Sequence, residues 1–431
     1  MIQDALAQER VCWRDCVFTP CITLWTFLGQ VLCPDHSCRA AVARLIALLT
    51  ARGEAPCSPE TGPYCKARQR LPVGVLCRLT RRTGRILEDN ADADWLFKGR
   101  RVLLVDGTTV SMPDTEENQR AFPQNRAQKP GLGFPIARLV AVISLATGAV
   151  RDLAIGPYRG KQTGETALFR SLWDRLATGD IAVGDRFFCS YFGIAPLRDR
   201  GVDGVFRMHQ CRKVDFRRGL RLGVLDHVVS WAKPTCPDWM DRATYDQLPD
   251  HIAVRELRIR VEQDGFRVDE LVLVTTLLDA TAYAKEEVAD LYFRRWHIEL
   301  DLRSIKVDMQ MDVLRCQSPE MVEKEIWAHL LAYNVVRSLM ADAAREHGEE
   351  PRRLSFKGAM QTIRAFEESI RVADPSRRSE LVEERLRAIA SHRVGDRPGR
   401  AEPRAKKRRP KSHRLLTVPR REARKLLLQK A

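Results

Sequence analysis

The chain contains 431 residues, of which 44% are hydrophobic and 30% are charged, and its formal net charge is +16. This composition excludes a chain that is disordered throughout, and no apolar run approaches the ~20 residues that a membrane helix requires. The acidic and polar start, MIQDALAQER, predicts no secretion signal. We therefore expect a cytoplasmic protein of two or three structural units, without a membrane partner, whose positive charge favours nucleic acid or another anionic surface.

Residues 1–98 are predicted to be helical, because apolar residues recur there at helical spacing between proline and glycine breaks. This part of the chain is also rich in cysteine. The nearest approach to a zinc pattern runs from Cys33 through His36 to Cys38, but it lacks the paired spacing of zinc ligands. Disulfides are not expected without a secretion signal. The cysteines are therefore interpreted as small buried apolar residues.

The character of the sequence changes at residue 99, where a mixed α/β unit is predicted. Residues 101–105 (RVLLV) have the length and composition of a buried strand. Two further strand-like runs meet at a Thr147-Gly148 turn, and helix and strand patterns then alternate as far as residue 210. The order β-β-β-α-β-α-β is typical of a sheet with helices on its faces.

Two aspartates, Asp106 and Asp185, directly follow predicted strands. Because α/β sheets bind ligands where their strands end, both are candidate catalytic residues. Turn chemistry is the alternative for each of them: Asp before Gly is common in turns, and Asp185 is also suited to cap a helix.

Residues 211–282 predict a β-rich insertion, because two segments of alternating polarity flank an Asp264-Gly265 turn in the manner of a hairpin. Helical periodicity resumes at about residue 283, and Ser318 is a candidate N-cap for a long helix that starts at Pro319. The predicted organisation is 1–98 (helical), 99–210 (first part of the α/β unit), 211–282 (insertion), 283–350 (second part of that unit), 351–392 (helical) and 393–431 (basic tail).

One predicted helix, residues 283–308, carries a narrow polar stripe beside its apolar arc. At about 100° per residue the stripe spans an arc of roughly 60°. A solvated ion pair is the ordinary explanation for a glutamate flanked by cations on a helix. A stripe bordering the core-facing side favours a functional site instead. Its members are Tyr292, Arg295, Glu299 and Lys306.

The tail holds most of the positive charge: residues 393–431 contain 15 Lys and Arg against three acidic residues, a net +12. The favoured interpretation is neutralisation of DNA phosphates with release of counterions. A disordered, solubilising tail is the alternative. The densest cations are Lys406, Lys407, Arg408 and Arg409.

The stripe and the two aspartate motifs together resemble a known family. The spacing Tyr292-x2-Arg295-x3-Glu299-x6-Lys306 is similar to the YREK signature of insertion-sequence-4-type bacterial DDE transposases. VDGTT around Asp106 and GDRFF around Asp185 resemble the two aspartate motifs of that family. The resemblance implies a ribonuclease H-like α/β catalytic core (99–210 and 283–350) with a β-rich insertion, flanked by α-helical N- and C-terminal regions. It also makes the helical region 1–98 a candidate for binding DNA ends.

The resemblance also implies the chemistry. Asp106, Asp185 and Glu299 would be the catalytic residues and would bind divalent metal, with two Mg²⁺ ions expected and Mn²⁺ as a substitute. Tyr292, Arg295 and Lys306 would hold phosphates near the cleaved end. The expected partners are double-stranded DNA with terminal inverted repeats and target DNA, bound by a homodimer that works at the bacterial nucleoid.

Three tryptophans are candidates for stacking on a flipped base: Trp231, Trp239 and Trp296. A packing role is the alternative for each of them. Two functional alternatives also remain open beside transposition. One is a ribonuclease H-like DNA nuclease that does not transpose, and the other is a DNA-binding protein without catalysis.

Overall fold

The structure is a computed structural model that describes residues 1–11, 13, 16–260, 270–395 and 414–429. Its N-terminal part is helical, as predicted, and side-chain caps begin two of the helices: Thr19 accepts a hydrogen bond from the Ile22 N–H, and Ser37 from the Ala40 N–H. No helix in the described part of the chain is long and apolar enough to cross a membrane. The N-terminal helices are α1 (Ile2–Gln8), α2 (Pro20–Leu32), α3 (Cys38–Ala51), α4 (Gly62–Arg70) and α5 (Val73–Asp89).

A nine-stranded sheet forms the centre of the molecule. Its spatial order is β3-β2-β1-β4-β5-β9-β8-β7-β6. The strands are β1 (Val102–Ser111), β2 (Ile136–Ser144), β3 (Val150–Pro157), β4 (Ile181–Gly184), β5 (Asp203–Arg207), β6 (Leu220–Gly223), β7 (Asp226–Ala232), β8 (His251–Arg260) and β9 (Glu270–Thr275).

The first five strands have the predicted ribonuclease H-like arrangement. β1, β2 and β3 are antiparallel neighbours, whereas β4 and β5 run parallel to β1 on its other side. The predicted element order is confirmed, with a short additional helix between β1 and β2. The helix predicted to open at Gly164 ends sooner than expected and is followed by a 3₁₀ turn. These helices are α6 (Glu116–Ala121), α7 (Glu165–Arg170) and α8 (Tyr191–Asp199).

The β-rich segment continues the same sheet. β9 pairs with β5 of the core, and β8, β7 and β6 follow it as antiparallel neighbours. A short helix, α9 (Arg242–Gln247), connects β7 to β8. The predicted β8–β9 hairpin is confirmed by its pairing, while its predicted Asp264-Gly265 turn lies outside the described residues.

Two helices replace the single helix predicted over residues 283–308, so the prediction of one continuous helix was wrong. They are α10 (Lys285–Phe293) and α11 (Trp296–Arg303), and a π turn (Ser304–Asp308) follows. Between them the backbone N–H groups bond three residues back, as from Arg295 to Tyr292, and the dihedral angles stay right-handed helical. The backbone between α10 and α11 therefore forms one tighter helical turn and continues in the same direction.

Three of the last helices match the predicted segments, and a fourth lies in the basic tail, where no helix was predicted. α12 starts at Pro319 with Ser318 as its N-cap residue, both as predicted, although the Ser318 side chain makes no capping hydrogen bond. Asn334 of α12 bonds both the N–H and the C=O of Val150 and also the C=O of Thr80. The side chain thereby ties α12 to β3 and to α5. These helices are α12 (Pro319–Glu346), α13 (Phe356–Val372), α14 (Pro375–Ser391) and α15 (Arg420–Leu428).

Helices cover both faces of the sheet, which explains why β1 reads as an unbroken apolar run. Leu104 of β1 packs in the larger core with residues of α10, α11 and α12. Its neighbour Leu103 packs in a second core with residues of α7 and α8 on the opposite face. The polar residues that follow this run therefore emerge from a rigid and fully buried strand.

Candidate active site

Asp106 and Asp185 occupy equivalent positions on two adjacent parallel strands. The last residue pair that joins β1 to β4 is Val105 with Gly184. Asp106 and Asp185 each come one residue later, where β4 ends and β1 loses its neighbour on that side. The parallel register therefore brings together two carboxylates that lie far apart in the sequence.

Each aspartate also accepts a hydrogen bond from the backbone N–H of the next residue, although Asp106 lies within β1 and not in the turn that was its alternative. Asp106 Oδ1 accepts from the Gly107 N–H at 2.8 Å, and Asp185 Oδ1 accepts from the Arg186 N–H at 2.6 Å. Asp185 in this way caps a short 3₁₀ turn, as the alternative interpretation anticipated. One oxygen of each carboxylate thus holds the backbone, which leaves the other oxygen available for a different partner.

Arg295 connects Asp106 to Glu299. Its Nη1 lies 3.4 Å from Asp106 Oδ2, and its Nη2 donates to Glu299 Oε1 at 2.9 Å. The Arg295 side chain is only 16% exposed, so these charges meet with little screening by water. Burial alone would lower the pKa of Arg295, but Tyr292, Glu299 and Asp106 raise it. The guanidinium therefore remains charged between the two carboxylates.

The pKa of Asp106 is raised to about 6, chiefly because the carboxyl is buried. The Gly107 N–H and Arg295 lower the pKa and so oppose this effect, whereas the charges of Glu299 and Glu165 add to it. Burial, with the smaller contributions of the two glutamates, therefore outweighs the stabilisation of the charged carboxylate by Arg295 and the Gly107 N–H. Such a carboxylate favours binding of an additional cation.

Tyr292 and Lys306 complete the stripe around the same stretch of β1. Tyr292, in the last turn of α10, is buried, and burial raises the pKa of its phenol to about 12, with Asp185 adding to the shift. Lys306, in the π turn, donates to the Thr108 Oγ1 at 3.1 Å. The stripe predicted on one helix is therefore assembled against β1 despite the break between α10 and α11.

A buried ionic network holds α11 in place beneath Glu299. Asp301 is fully buried and forms ion pairs with Arg337 of α12 and with Arg352, the latter at 2.7 Å. The Tyr333 hydroxyl donates to the same carboxylate at 3.0 Å. The network anchors the helix two residues after Glu299, so it controls where the Glu299 carboxylate lies.

Glu165 is a site residue that sequence reasoning missed. A Cβ atom added at Gly107 would lie 2.4 Å from the Glu165 carboxyl carbon, so this side chain occupies the space that the glycine leaves empty. Glu165 begins α7 and makes no hydrogen bond or ion pair in the described part of the chain. Two features of the sequence could have identified Glu165: it is a glutamate at the start of the helix after the third strand, and a glycine follows Asp106.

The three tryptophans differ in their environments. Trp231 is buried, its indole N–H donates to Glu256 at 2.8 Å, and Arg212 covers its ring at 3.6 Å. It exposes no face to a base, so the stacking prediction for Trp231 is corrected to a packing role. Trp239 is half-buried with Arg170 over its ring, whereas Trp296, next to Arg295, is 47% exposed.

Two further features bear on DNA contact. Phe187, two residues after Asp185, is 57% exposed, although the next residue, Phe188, is buried. Sequence reasoning did not single out this aromatic side chain. The four predicted contacts of the basic tail lie outside the described residues: Lys406, Lys407, Arg408 and Arg409.

The arrangement of strands, carboxylates and stripe defines a class of protein. A family model described as a transposase DDE domain matches residues 97–335. The chain belongs to this family, whose members are enzymes that cleave DNA and transfer the cut strand, and it is an insertion-sequence transposase of the IS4 type.

The chain is also similar to individual proteins. The chain is 29% identical to transposase InsG for insertion sequence element IS4 of Escherichia coli (strain K12), over 90% of this chain and 85% of the relative. It is 43% identical to the putative transposase InsL for insertion sequence element IS186A of the same strain, over 14% of this chain and 16% of that protein. Among solved structures, a piggyBac transposase synaptic complex with hairpin DNA matches 90% of this chain and 82% of its own with a TM-score of 0.43 and 10% identity.

Proposed function

We propose that Asp106, Asp185 and Glu299 are the catalytic carboxylates of this transposase. The observation that carries the proposal is that Asp106 and Asp185 follow the last paired residues of two adjacent parallel strands, while Glu299 reaches Asp106 through Arg295. Three carboxylates from distant parts of the chain repel one another and have no evident structural purpose together. A reaction that needs oxygen ligands at one point supplies that purpose.

The donor chemistry fits divalent metal. Carboxylate oxygens are the ligands that Mg²⁺ and Mn²⁺ prefer, and a bound cation would offset the burial of the Asp106 charge that raises its pKa. In the described part of the chain no three His, Cys, Asp or Glu residues form a group that could hold a metal ion as they stand. The Arg295 guanidinium lies between two of the carboxylates. Two Mg²⁺ ions held by Asp106, Asp185 and Glu299, with Mn²⁺ able to replace them, would stabilise charge on the attacking and leaving oxygens.

The remaining residues of the site have roles in holding DNA. Arg295 presents two N–H groups that suit a phosphate, and transfer of Arg295 from the carboxylates to a DNA phosphate would free those oxygens. Lys306 and Tyr292 would contact the same strand beside Arg295. Glu165 would add a fourth carboxylate next to Asp106.

DNA would approach along the exposed side of these residues. Trp296 presents an exposed ring that can stack on a base next to the cleaved phosphate, and Trp239 is a more distant candidate. The substrate would be the terminal inverted repeats of the element and then target DNA, held by a homodimer at the nucleoid. Cations of the tail, Lys406–Arg409, would add sequence-independent affinity for DNA phosphates.

A donor plasmid carrying the gene with its native flanking DNA tests the proposal through excision and integration in bacterial cells. Glu299→Gln removes a charged ligand with little change of shape, and we expect loss of both events with DNA binding retained. Glu286→Gln, at an exposed position of α10, is the matched control and should behave like the wild type. Equal activity of Glu299→Gln and the wild type would overturn the assignment, and cleavage without integration by the wild type would favour a nuclease.

A further inference from the structure

A cavity of about 710 Å³ lies where the N-terminal helices meet the segment before α12. Cys38, the first residue of α3, and Cys65 of α4 both line it and are half-buried. Their sulfur atoms are 3.7 Å apart. No other two cysteine sulfurs lie within hydrogen-bonding distance among the residues that the structure describes.

Arg68 places a positive charge beside this pair. Its Nη2 lies 3.3 Å from the Cys38 Sγ, and its Nη1 donates to Gln30 Oε1 at 3.2 Å. The Arg68 side chain is 8% exposed, and its Nε has no hydrogen-bond partner in the structure. A buried guanidinium with spare donor capacity stabilises the thiolate form of an adjacent cysteine, which is the reactive form. Burial nevertheless keeps the pKa of the Cys38 thiol above its ordinary value, and Arg68 only partly offsets that effect.

We propose that Cys38 and Cys65 are a redox-sensitive dithiol, which a mild oxidant closes into a disulfide between α3 and α4. With a hydroperoxide such as hydrogen peroxide, the thiolate of one cysteine attacks the O–O bond. One oxygen stays on that sulfur as a sulfenic acid, and the other leaves as water. The second thiol then attacks the sulfenic sulfur, forms the S–S bond and releases a second water. Peroxide is reduced and the two thiols are oxidised, so no further reactant is needed.

The arrangement favours this pair over the other cysteines. The cavity gives a small oxidant access to both sulfurs, and their contact lets the second step proceed with little movement of either helix. Cys211, in contrast, is exposed, and its sulfur has no cysteine neighbour in the described part of the chain. An oxidised Cys211 would therefore persist as a sulfenic acid or react with another molecule. The disulfide would restrict the unfolded chain between residues 38 and 65 and stabilise the N-terminal region.

The test uses the full-length protein, purified fully reduced and then exposed to equimolar hydrogen peroxide. Remaining thiols are alkylated, and the protein is digested without reductant for mass spectrometry. We expect a peptide that joins Cys38 to Cys65, loss of alkylation at both residues and full reversal by dithiothreitol. The thermal midpoint of the oxidised protein should exceed that of the reduced protein.

Variants sharpen the test. Cys38→Ser and Cys65→Ser should each abolish the cross-linked peptide and the rise in thermal midpoint, whereas the control Cys211→Ser should retain both. The wild-type digest stands by itself if a variant fails to fold. Full alkylation of Cys38 and Cys65 after exposure to peroxide would overturn the proposal. A disulfide from either residue to a different cysteine would overturn it as well.

Discussion

The Nη1 atom of Arg295 lies 3.4 Å from the Oδ2 atom of Asp106, although the two residues are 189 positions apart in the sequence. The same guanidinium donates to Glu299 at 2.9 Å. A cation of the chain therefore lies between two of the carboxylates that we assign to metal binding. Phosphate of bound DNA and the two carboxylates compete for this arginine, so binding of DNA and binding of metal should be coupled.

Removal of the Arg295 charge should separate its two roles. In Arg295→Ala the carboxylates lose the guanidinium that lies between them, so we expect Mg²⁺ to bind the DNA-free protein several-fold more tightly. Isothermal titration calorimetry measures this affinity. Strand cleavage should fall by about 100-fold or more, because a charged donor to phosphate is lost. Arg303→Ala, which removes an exposed arginine of the same helix, should change neither quantity. Weaker metal binding by Arg295→Ala would contradict the competition.

The raised pKa of Asp106 makes a prediction about pH. Only the ionised carboxylate binds metal, so Mg²⁺ affinity of the DNA-free protein should decline as the pH falls through about 6, where Asp106 takes up a proton. Titration calorimetry at pH 5.5 and 7.5 measures the difference. Asp106→Asn should bind metal weakly at both values, and unchanged affinity of the wild type across this range would contradict the assignment.

The same shift predicts a cost in stability. The folded-state pKa of about 6 lies above the ordinary value of 3.8 for an aspartate, so the folded protein binds more protons between these pH values. Stability from this group is then present at low pH and is lost as the pH rises through about 6. At pH 7.5 without metal, Asp106→Asn should therefore unfold at a higher temperature than the wild type. The gain in the free energy of unfolding should be no more than about 3 kcal/mol. A variant less stable than the wild type would show that the charge is well solvated.

Asp301 should be far more important for stability than surface acids. Asp301→Asn leaves Arg337 and Arg352 buried with a neutral partner, and we expect a loss of about 3–5 kcal/mol in the free energy of unfolding. Denaturant titration followed by circular dichroism measures it. Glu384→Gln, which breaks an exposed pair with Arg387, should cost less than about 1 kcal/mol. Similar losses in the two variants would argue against the buried network.

Gly107 and Glu165 should show non-additive effects. Gly107→Ala places a methyl group against the Glu165 carboxylate, so it should lower the thermal midpoint and cleavage together. In the double variant Gly107→Ala/Glu165→Ala the collision is gone, so the thermal midpoint should recover to the value of Glu165→Ala alone. Cleavage should stay low because the fourth carboxylate is missing. Additive losses of stability would show that the two side chains do not meet.

Much of the site could be predicted from the sequence, because its signals are local. Apolar runs that lead into Asp106 and Asp185 predicted two strands, and both strands are present. The predicted strand end is confirmed for Asp185 but was wrong for Asp106, because β1 continues to Ser111. The spacing of the stripe predicted that Tyr292, Arg295, Glu299 and Lys306 would face the same way. The break after α10 escaped prediction, since no glycine or proline marks it and the backbone angles remain helical across it.

The amino-acid sequence by itself determined the strand and helix order, the YREK spacing and the excess of basic residues in the tail. Only the tertiary structure decided which groups meet. The strand register aligns Asp106 with Asp185, Arg295 lies between two carboxylates, and the Glu165 side chain fills the space beside Gly107. It also decided that Trp231 is buried and Trp296 exposed. The physical reason is that periodicity records which face of an element is apolar, whereas contacts across the sheet depend on strand pairing and on the space left between side chains.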